Sequence, residues 1–350
     1  NITFSKTKQN KKRSPDELDR VYRALLNELT LAPAHREHLK SESRKLTDEQ
    51  IRVRGYKSFP QKPWQVVKRI KERIGEDDLV GIPGFFGIEG KYGPYQTISG
   101  FDGILIPFRD NKNRIVGMQY RVDEVKNDVT IKKYHPDFTA LVKQQPNIVQ
   151  IIGEGGEILY EGKFPYKVWK KIKFHGKVLG EVRLDKGQRY FWLSSANKEG
   201  GTGAGDPTPI HISVPLNVLA QWAKGNAHRD QTVWLIEGAL KADICADKVV
   251  DLYDPEELQD IGTTFIAIPG ANSWRLALPY LREMGVQKVN IALDADATSN
   301  PHVKKHLFQL AKSLQKGGYA ASLVLWNADD GKGLDDLYLN HRLPHIKPLF

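Results

Sequence analysis

Cysteine occurs once in this chain, at Cys245, and methionine only twice. A lone thiol excludes an internal disulfide and a cysteine-rich zinc site within these residues. No apolar run approaches the roughly 18 residues that a membrane-crossing helix needs, and the N-terminus lacks the apolar segment of a secretory signal. The glycine-rich stretch Gly200-Gly-Thr-Gly-Ala-Gly-Asp206 lacks the Gly-Lys-Ser/Thr ending of a P-loop, so it reads first as a flexible loop and second as a phosphate cradle. These absences predict a cytoplasmic protein without membrane contact. The chain begins at Asn1 rather than Met, as a fragment or a processed chain would.

What is present is ordinary globular composition, with 40% hydrophobic and 27% charged residues in 350, room for two or three domains. The net charge of +10 is unevenly placed. Residues 1–75 hold 19 Lys/Arg against nine Asp/Glu, whereas the other 275 hold 33 of each. The first segment therefore reads as a basic arm for a polyanion, or as a solvated surface that favours Lys and Arg. Residues 1–13, ending in Lys11-Lys-Arg13, predict a disordered basic leader. Capping boxes at Ser14–Glu17 and Thr47–Gln50, and apolar stripes over Leu18–Leu29 and Val66–Ile74, predict a small helical array, with a further helix from Ala34 to about Lys45.

The chain is organised around residues 231–340. Val233–Ile236, Phe265–Ile268, Val289–Leu293 and Ala320–Leu325 are short, apolar, β-branched runs of the kind buried on both sheet faces. Helical patterns at Ala239–Val249, Trp274–Gly285 and Pro301–Gly317 separate them, which predicts a parallel sheet with right-handed crossovers. Chemistry in such sheets gathers at the carboxyl ends of the strands. Glu237 closes the first run, Asp294 and Asp296 the third, and Asp335 and Asp336 follow the fourth. Carboxylates so gathered need a cation, and hard oxygen donors without His or Cys suit Mg²⁺ or Mn²⁺. The plainer alternative is that acids at strand ends cap the helices that follow. Cys245, inside a crossover helix, reads as a packed core thiol.

Glu237-Gly238, Asp294-Ala-Asp296 and the late acidic pair, in that order, resemble a Toprim domain. The wording Glu237-Gly-Ala-Leu-Lys-Ala-Asp243, Pro269-Gly-Ala-Asn272 and Lys332-Gly-Leu-Asp-Asp336 is most similar to Toprim-like primases of phage, plasmid and mobile-element replication proteins. Upstream, the hairpin pattern Gly103–Asp110, Asn111–Asn113, Arg114–Val122 resembles a stretch of DnaG-type primases. The resemblance implies an α/β Toprim domain (parallel sheet with helices on both faces) at 226–350. It would follow an α+β primase-like N-terminal subdomain at 76–225 and the small basic helical region at 1–75. It further implies metal-dependent synthesis of short RNA primers on single-stranded DNA from nucleoside triphosphates, with a replicative helicase as a partner.

By match to the family's motifs, Glu237, Asp294 and Asp296 would be catalytic, and these three with Asp335 and Asp336 would hold metal. Arg109 and Arg121 would meet template or nucleotide phosphate, and Lys241 and Lys332 triphosphate oxygens. In the plainer reading Arg109 pairs with Asp110 and Arg121 with Asp123. Two departures stand out: Lys241 occupies a position acidic in many primases, and Gly333 stands where those primases have a late acid. Two other readings remain, a Toprim nuclease or topoisomerase-like DNA-cleaving enzyme, and a catalytically silent DNA-binding module. Residues 126–185 say little beyond strands with Lys-rich turns.

Overall fold

The computed structural model describes residues 9–135, 138–294 and 301–350, the side chain of His302 excepted. Its fold is mixed α/β with several sheets. Contacts group the chain into two compact units, residues 1–120 with 192–350, and residues 121–191. The expected three-part division at 75 and 225 differs from this one, and Leu39, Leu46 and Ile51 of the N-terminal region share a core with Ala239, Leu240, Ile244 and Leu339.

In the larger unit the chain opens with helices Pro15–Glu28 (α1), Pro33–Lys40 (α2) and Asp48–Arg54 (α3). Both expected capping boxes form: the Ser14 hydroxyl accepts from the Glu17 amide while the Glu17 carboxylate accepts from the Ser14 amide, and Thr47 and Gln50 do the same. The helix expected from Ala34 to Lys45 stops at Lys40, where the Ser41 hydroxyl donates to the His38 carbonyl. The short strand Lys57–Ser58 (β1) leads to Pro63–Ile74 (α4), whose Val66, Val67 and Ile70 are buried as α4 packs on α1. Strands Phe85–Gly90 (β2) and Gly93–Ile98 (β3) pair with each other. Gly103–Arg109 (β4) and Ile115–Val122 (β5) form the expected hairpin. Its turn is held by Asp110, whose carboxylate accepts from the Lys112 and Arg114 amides and from the Arg114 guanidinium.

The smaller unit is all β: Asp128–Lys133 (β6), Phe138–Gln144 (β7), Ile148–Gly153 (β8), Ile158–Lys163 (β9), Trp169–Phe174 (β10) and Lys177–Asp185 (β11). Two antiparallel three-stranded sheets, ordered β10-β11-β6 and β7-β8-β9, enclose Phe138, Val149, Ile151, Phe164, Val182 and Leu184.

The chain returns through Tyr190–Trp192 (β12), His211–Ser213 (β13) and Leu216–Gln221 (α5) to Thr232–Glu237 (β14) and Ala239–Leu252 (α6). Then come Pro255–Ile261 (α7), Thr264–Ile268 (β15), a 3-10 segment Ala271–Ala277, Leu278–Met284 (α8) and Lys288–Ala292 (β16). Pro301–Lys316 (α9), Ala320–Leu325 (β17), Leu334–Leu339 (α10) and His345–Pro348 (β18) complete it. The sheet order is β13-β15-β14-β16-β17-β18, with the four central strands parallel and both edges antiparallel.

Strand alternation sorts side chains to two cores. Val233 and Leu235 face the layer of α8 and α9, with Trp274, Leu281 and Leu310. Trp234 and Ile236 face α6 and α10, with Cys245, Val249, Leu337 and Tyr338. Cys245 is thus a packed core thiol, its pKa raised by burial. Among the described residues no helix is long and apolar enough to cross a membrane. The leader expected to be disordered is ordered over residues 9–13. The Asn10 amide donates to the Gly201 carbonyl at 3.0 Å, and Lys12 Nζ to the Ala204 carbonyl at 3.1 Å. The glycine-rich loop therefore turns carbonyl oxygens toward a cation, whereas a phosphate cradle presents amides.

Candidate functional site

The parallel register aligns strand ends: Glu237 lies beside Ile268, and Ile236 beside Ala292. One edge of the sheet thus receives Glu237, the Pro269-Gly270 turn and Asp294. Gly238 leaves β14 with φ 88°, a left-handed conformation that glycine adopts freely, and its amide donates to the Ile268 carbonyl. That turn places Lys241 in the first turn of α6. A cation is unfavourable at a helix N-terminus, and a carboxylate answers it: Lys241 Nζ lies 2.5 Å from Asp294 Oδ1. Burial works against the ammonium, but Asp294, Asp335 and Glu237 outweigh it and raise its pKa above the ordinary lysine value. Glu237 Oε2 accepts from the Ala271 amide at 3.1 Å.

Asp335 reaches the same place from the first turn of α10. It is 1% exposed, and burial raises its pKa against the pull of Lys241 and Arg44. Arg44, from the turn after α2, reaches its Oδ2 at 3.3 Å, while Oδ1 is buried without a hydrogen-bond partner. At Gly333 a Cβ would stand 2.3 Å from Asp335 Oδ1 and 3.0 Å from Lys241 Nζ, so a larger residue there would displace the ends of both side chains.

Glu237, Lys241, Asp294 and Asp335 are thus brought together. Asp336 is turned into the loop, where its Oδ2 accepts from the Lys332 and Gly333 amides and caps α10. Lys332 itself is exposed. Asp296 lies outside the described residues. Among the described residues no three His, Cys, Asp or Glu side chains form a group that could hold a metal ion.

Arg109 does not reach a surface. It is 5% exposed, burial lowers its pKa to about 10, and its guanidinium donates to the Arg54 carbonyl at 2.8 Å. Asp110 pairs with Arg114 rather than with Arg109. Arg121 stands at the end of β5 within the smaller unit, 9% exposed.

A second charged cluster, absent from the sequence reading, lies beside Arg109. Arg54 grips Asp247 with Nε and a terminal nitrogen at 3.0 and 2.6 Å, and donates to Asp243 at 2.6 Å. Asp243 also accepts from Ser213 and the Tyr56 hydroxyl. His211 Nδ1 accepts from the Arg109 amide at 3.0 Å, which leaves Nε2 to donate to Asp243 at 2.9 Å. Burial would raise the Asp243 pKa, and Arg54, His211 and Ser213 together hold it below the usual carboxylate range. This network is structural: it joins the N-terminal helices to α6.

Residues 221–343 match the sequence family described as a domain of unknown function, DUF3854. No curated protein matches the chain. The structural neighbours are DnaG-type primase catalytic cores. One is the RNA polymerase domain of Mycobacterium tuberculosis primase DnaG, at 12% identity and TM-score 0.49, covering 96% of this chain and 85% of that one. Another is a DNA primase domain from Pseudomonas aeruginosa, at 12% identity and TM-score 0.48, covering 95% and 80%. A third is the Aquifex aeolicus primase with its zinc-binding and RNA polymerase domains, at 12% identity and TM-score 0.45, covering 94% of this chain and 59% of that one. This chain therefore spans less than two thirds of the Aquifex protein. A likeness at this level assigns no activity, which rests on the chain's own residues.

Proposed function

We propose that the chain is the catalytic core of a Toprim primase from a mobile-element, plasmid or phage replication protein. It would make short RNA primers on single-stranded DNA. The observation that carries the reading is the meeting of Glu237, Asp294 and Asp335 at the carboxyl edge of a parallel sheet, around the ammonium of Lys241. Four of the residues the resemblance picks out come together there, from two strand ends and two helix starts.

The donors match Mg²⁺ or Mn²⁺ in kind, being carboxylate oxygens with one buried Asp335 oxygen lacking a hydrogen bond, but Glu237, Asp294 and Asp335 are not by themselves grouped to hold an ion. Glu237, Asp294 and Asp335 would hold it, with Asp296 as the further acid of the motif and Asp336 as an outer group. When bound, such an ion neutralises charge on the triphosphate and on the departing pyrophosphate. The remaining roles fall to side chains. Lys241, released from Asp294, would meet triphosphate oxygens, and Lys332 would reach them from its exposed loop. Glu237, oriented by the Ala271 amide, would accept the proton of the attacking 3′-hydroxyl. A replicative helicase would be the expected partner of such a core.

The test is primer synthesis on single-stranded DNA with labelled ribonucleotides and Mg²⁺ or Mn²⁺, comparing the parent with an Asp294→Ala, Asp296→Ala double variant. The parent yields oligonucleotides and the variant at least ~100-fold less, the order of loss when a developing charge loses its stabilising group. A folded parent that makes no product on several templates refutes the reading. A second reading, a catalytically silent DNA-binding module, is favoured by the Lys241–Asp294 pair, which neutralises that carboxylate without any metal. Cleavage of labelled DNA without added nucleotide would instead select the strand-cleaving alternative.

A further inference from the structure

Between residues 162 and 180 the chain carries six lysines and no Asp or Glu: Lys163, Lys167, Lys170, Lys171, Lys173 and Lys177. All six are exposed, and among the described residues none lies within ion-pairing distance of a carboxylate. They lie at the end of β9, in the loop that follows, on β10 and at the start of β11, a continuous stretch of the smaller unit. That unit has 14 Lys/Arg against nine Asp/Glu in residues 121–191.

Two surface rings stand among these lysines. Trp169 is partly exposed next to Lys170, with the ion-paired Lys132 Nζ and Arg183 Cζ 4.1 and 4.8 Å from its ring centroid, whereas Phe164, 5.0 Å from Lys170 Nζ, is buried in the core. Phe174, 36% exposed, ends β10 beside the His175-Gly176 turn. Since β10 is an edge strand, lysines on it also discourage sheet-to-sheet association. That role does not require Lys163, Lys167 or Lys177, which lie off the strand's body, and it does not require the rings.

From this juxtaposition we infer that the lysine-rich stretch Lys163–Lys177 of the smaller unit, centred on the edge strand β10, grips single-stranded DNA. The lysine ammoniums take the phosphates, and the exposed edges of Trp169 and Phe174 take the bases. Lysines alone would suit any polyanion; rings set among them suit one whose bases are unstacked. The choice of DNA over another single strand rests on the primase reading, in which a template must be held.

The experiment measures binding of the full chain to a fluorescein-labelled thymidine 20-mer by anisotropy across a salt series. A variant carrying Lys163→Glu, Lys170→Glu, Lys171→Glu and Lys173→Glu is compared with one carrying Lys304→Glu, Lys305→Glu, Lys312→Glu and Lys316→Glu on α9. The first loses affinity roughly tenfold or more, with a flatter salt dependence, since each phosphate contact contributes about 0.7 to the slope for a single strand. The α9 variant of equal charge changes far less. Equal losses in both overturn the inference, as does no loss in the first. Trp169→Ala weakens DNA binding and spares heparin, a polyanion without bases; equal effects on both overturn the assignment to nucleic acid. The matching four-Gln variant, which adds no negative charge, gives an intermediate loss. Primer synthesis by a chain whose DNA binding ignores these lysines sinks this inference alone. Binding through them without primer synthesis sinks the primase reading alone.

Discussion

Residues 1–75 and 163–177 are both rich in cations, and the structure uses them in opposite ways. In the first, the arginines are committed to partners. Arg13 meets Glu76, Arg69 and Arg73 meet Glu28, Arg36 meets Asp48, Arg44 meets Asp335, and Arg54 is buried against two aspartates. Lys12 is spent on loop carbonyls. In the second, six lysines stand in solvent, and among the described residues none lies within ion-pairing distance of a carboxylate. Net charge counts cations; only pairing shows which of them a polyanion can use. The arginines of the basic arm expected at the N-terminus bind this chain's own acids and carbonyls.

The sharpest way to break this contrast is to remove one cation from each region and measure stability. Arg54→Met leaves Asp243 and Asp247 buried without their counter-charge, and should lower unfolding free energy by roughly 3–5 kcal/mol in urea denaturation, the cost of stripping one partner from a buried ion pair. An effect below about 1 kcal/mol, the level of exposed pairs, would mean that the network tolerates an open charge, and the N-terminal cations would not be structural in the sense argued.

The same network gives a smaller, pH-dependent effect. Burial lowers the His211 pKa from 6.5, and the Arg109 amide occupies the nitrogen that a second proton would need. The unfolded chain takes up that proton near pH 6.5, and the folded chain refuses it until lower pH. Stability is therefore full above pH 6.5 and declines as the pH falls below it. Asp243, Arg54, Arg109 and Tyr56 face the ring and stay in place, so a His211→Gln variant should show a shallower fall in urea midpoint between pH 7 and pH 5, on either side of the ordinary histidine pKa. Parallel curves for parent and variant would remove His211 from the account.

How much of this was legible follows the range of the interactions. The four parallel strands were readable because each is an apolar run buried on both faces, and the capping boxes because they span three residues. The segment Asp254-Pro-Glu-Glu257 carries an equally local capping box, which starts α7. At the candidate site the acids were readable from their order along the chain. Arg44 beside Asp335 was not, since 291 residues separate them. Arg109 was assigned to a surface by resemblance and is buried, because the neighbours that cover it come from 55 to 102 residues away. The lysines of 163–177 were plain in the sequence, but their lack of partners is a fact of three dimensions.

The smallest expected effect sharpens the contrast most. Lys173→Gln removes from β10 one exposed ammonium that, among the described residues, has no carboxylate within ion-pairing distance. With no buried partner to strand, its unfolding free energy should stay within about 0.5 kcal/mol of the parent, as for surface substitutions generally. If Lys173 meets a phosphate, the slope of log affinity against log salt for single-stranded DNA should still flatten by about 0.7. Arg54→Met should do the reverse, costing stability without touching the salt slope while the protein remains folded. A change in both quantities for Lys173→Gln would show that this lysine has a partner within the protein after all, and the division between committed and available cations would have to be redrawn at that position.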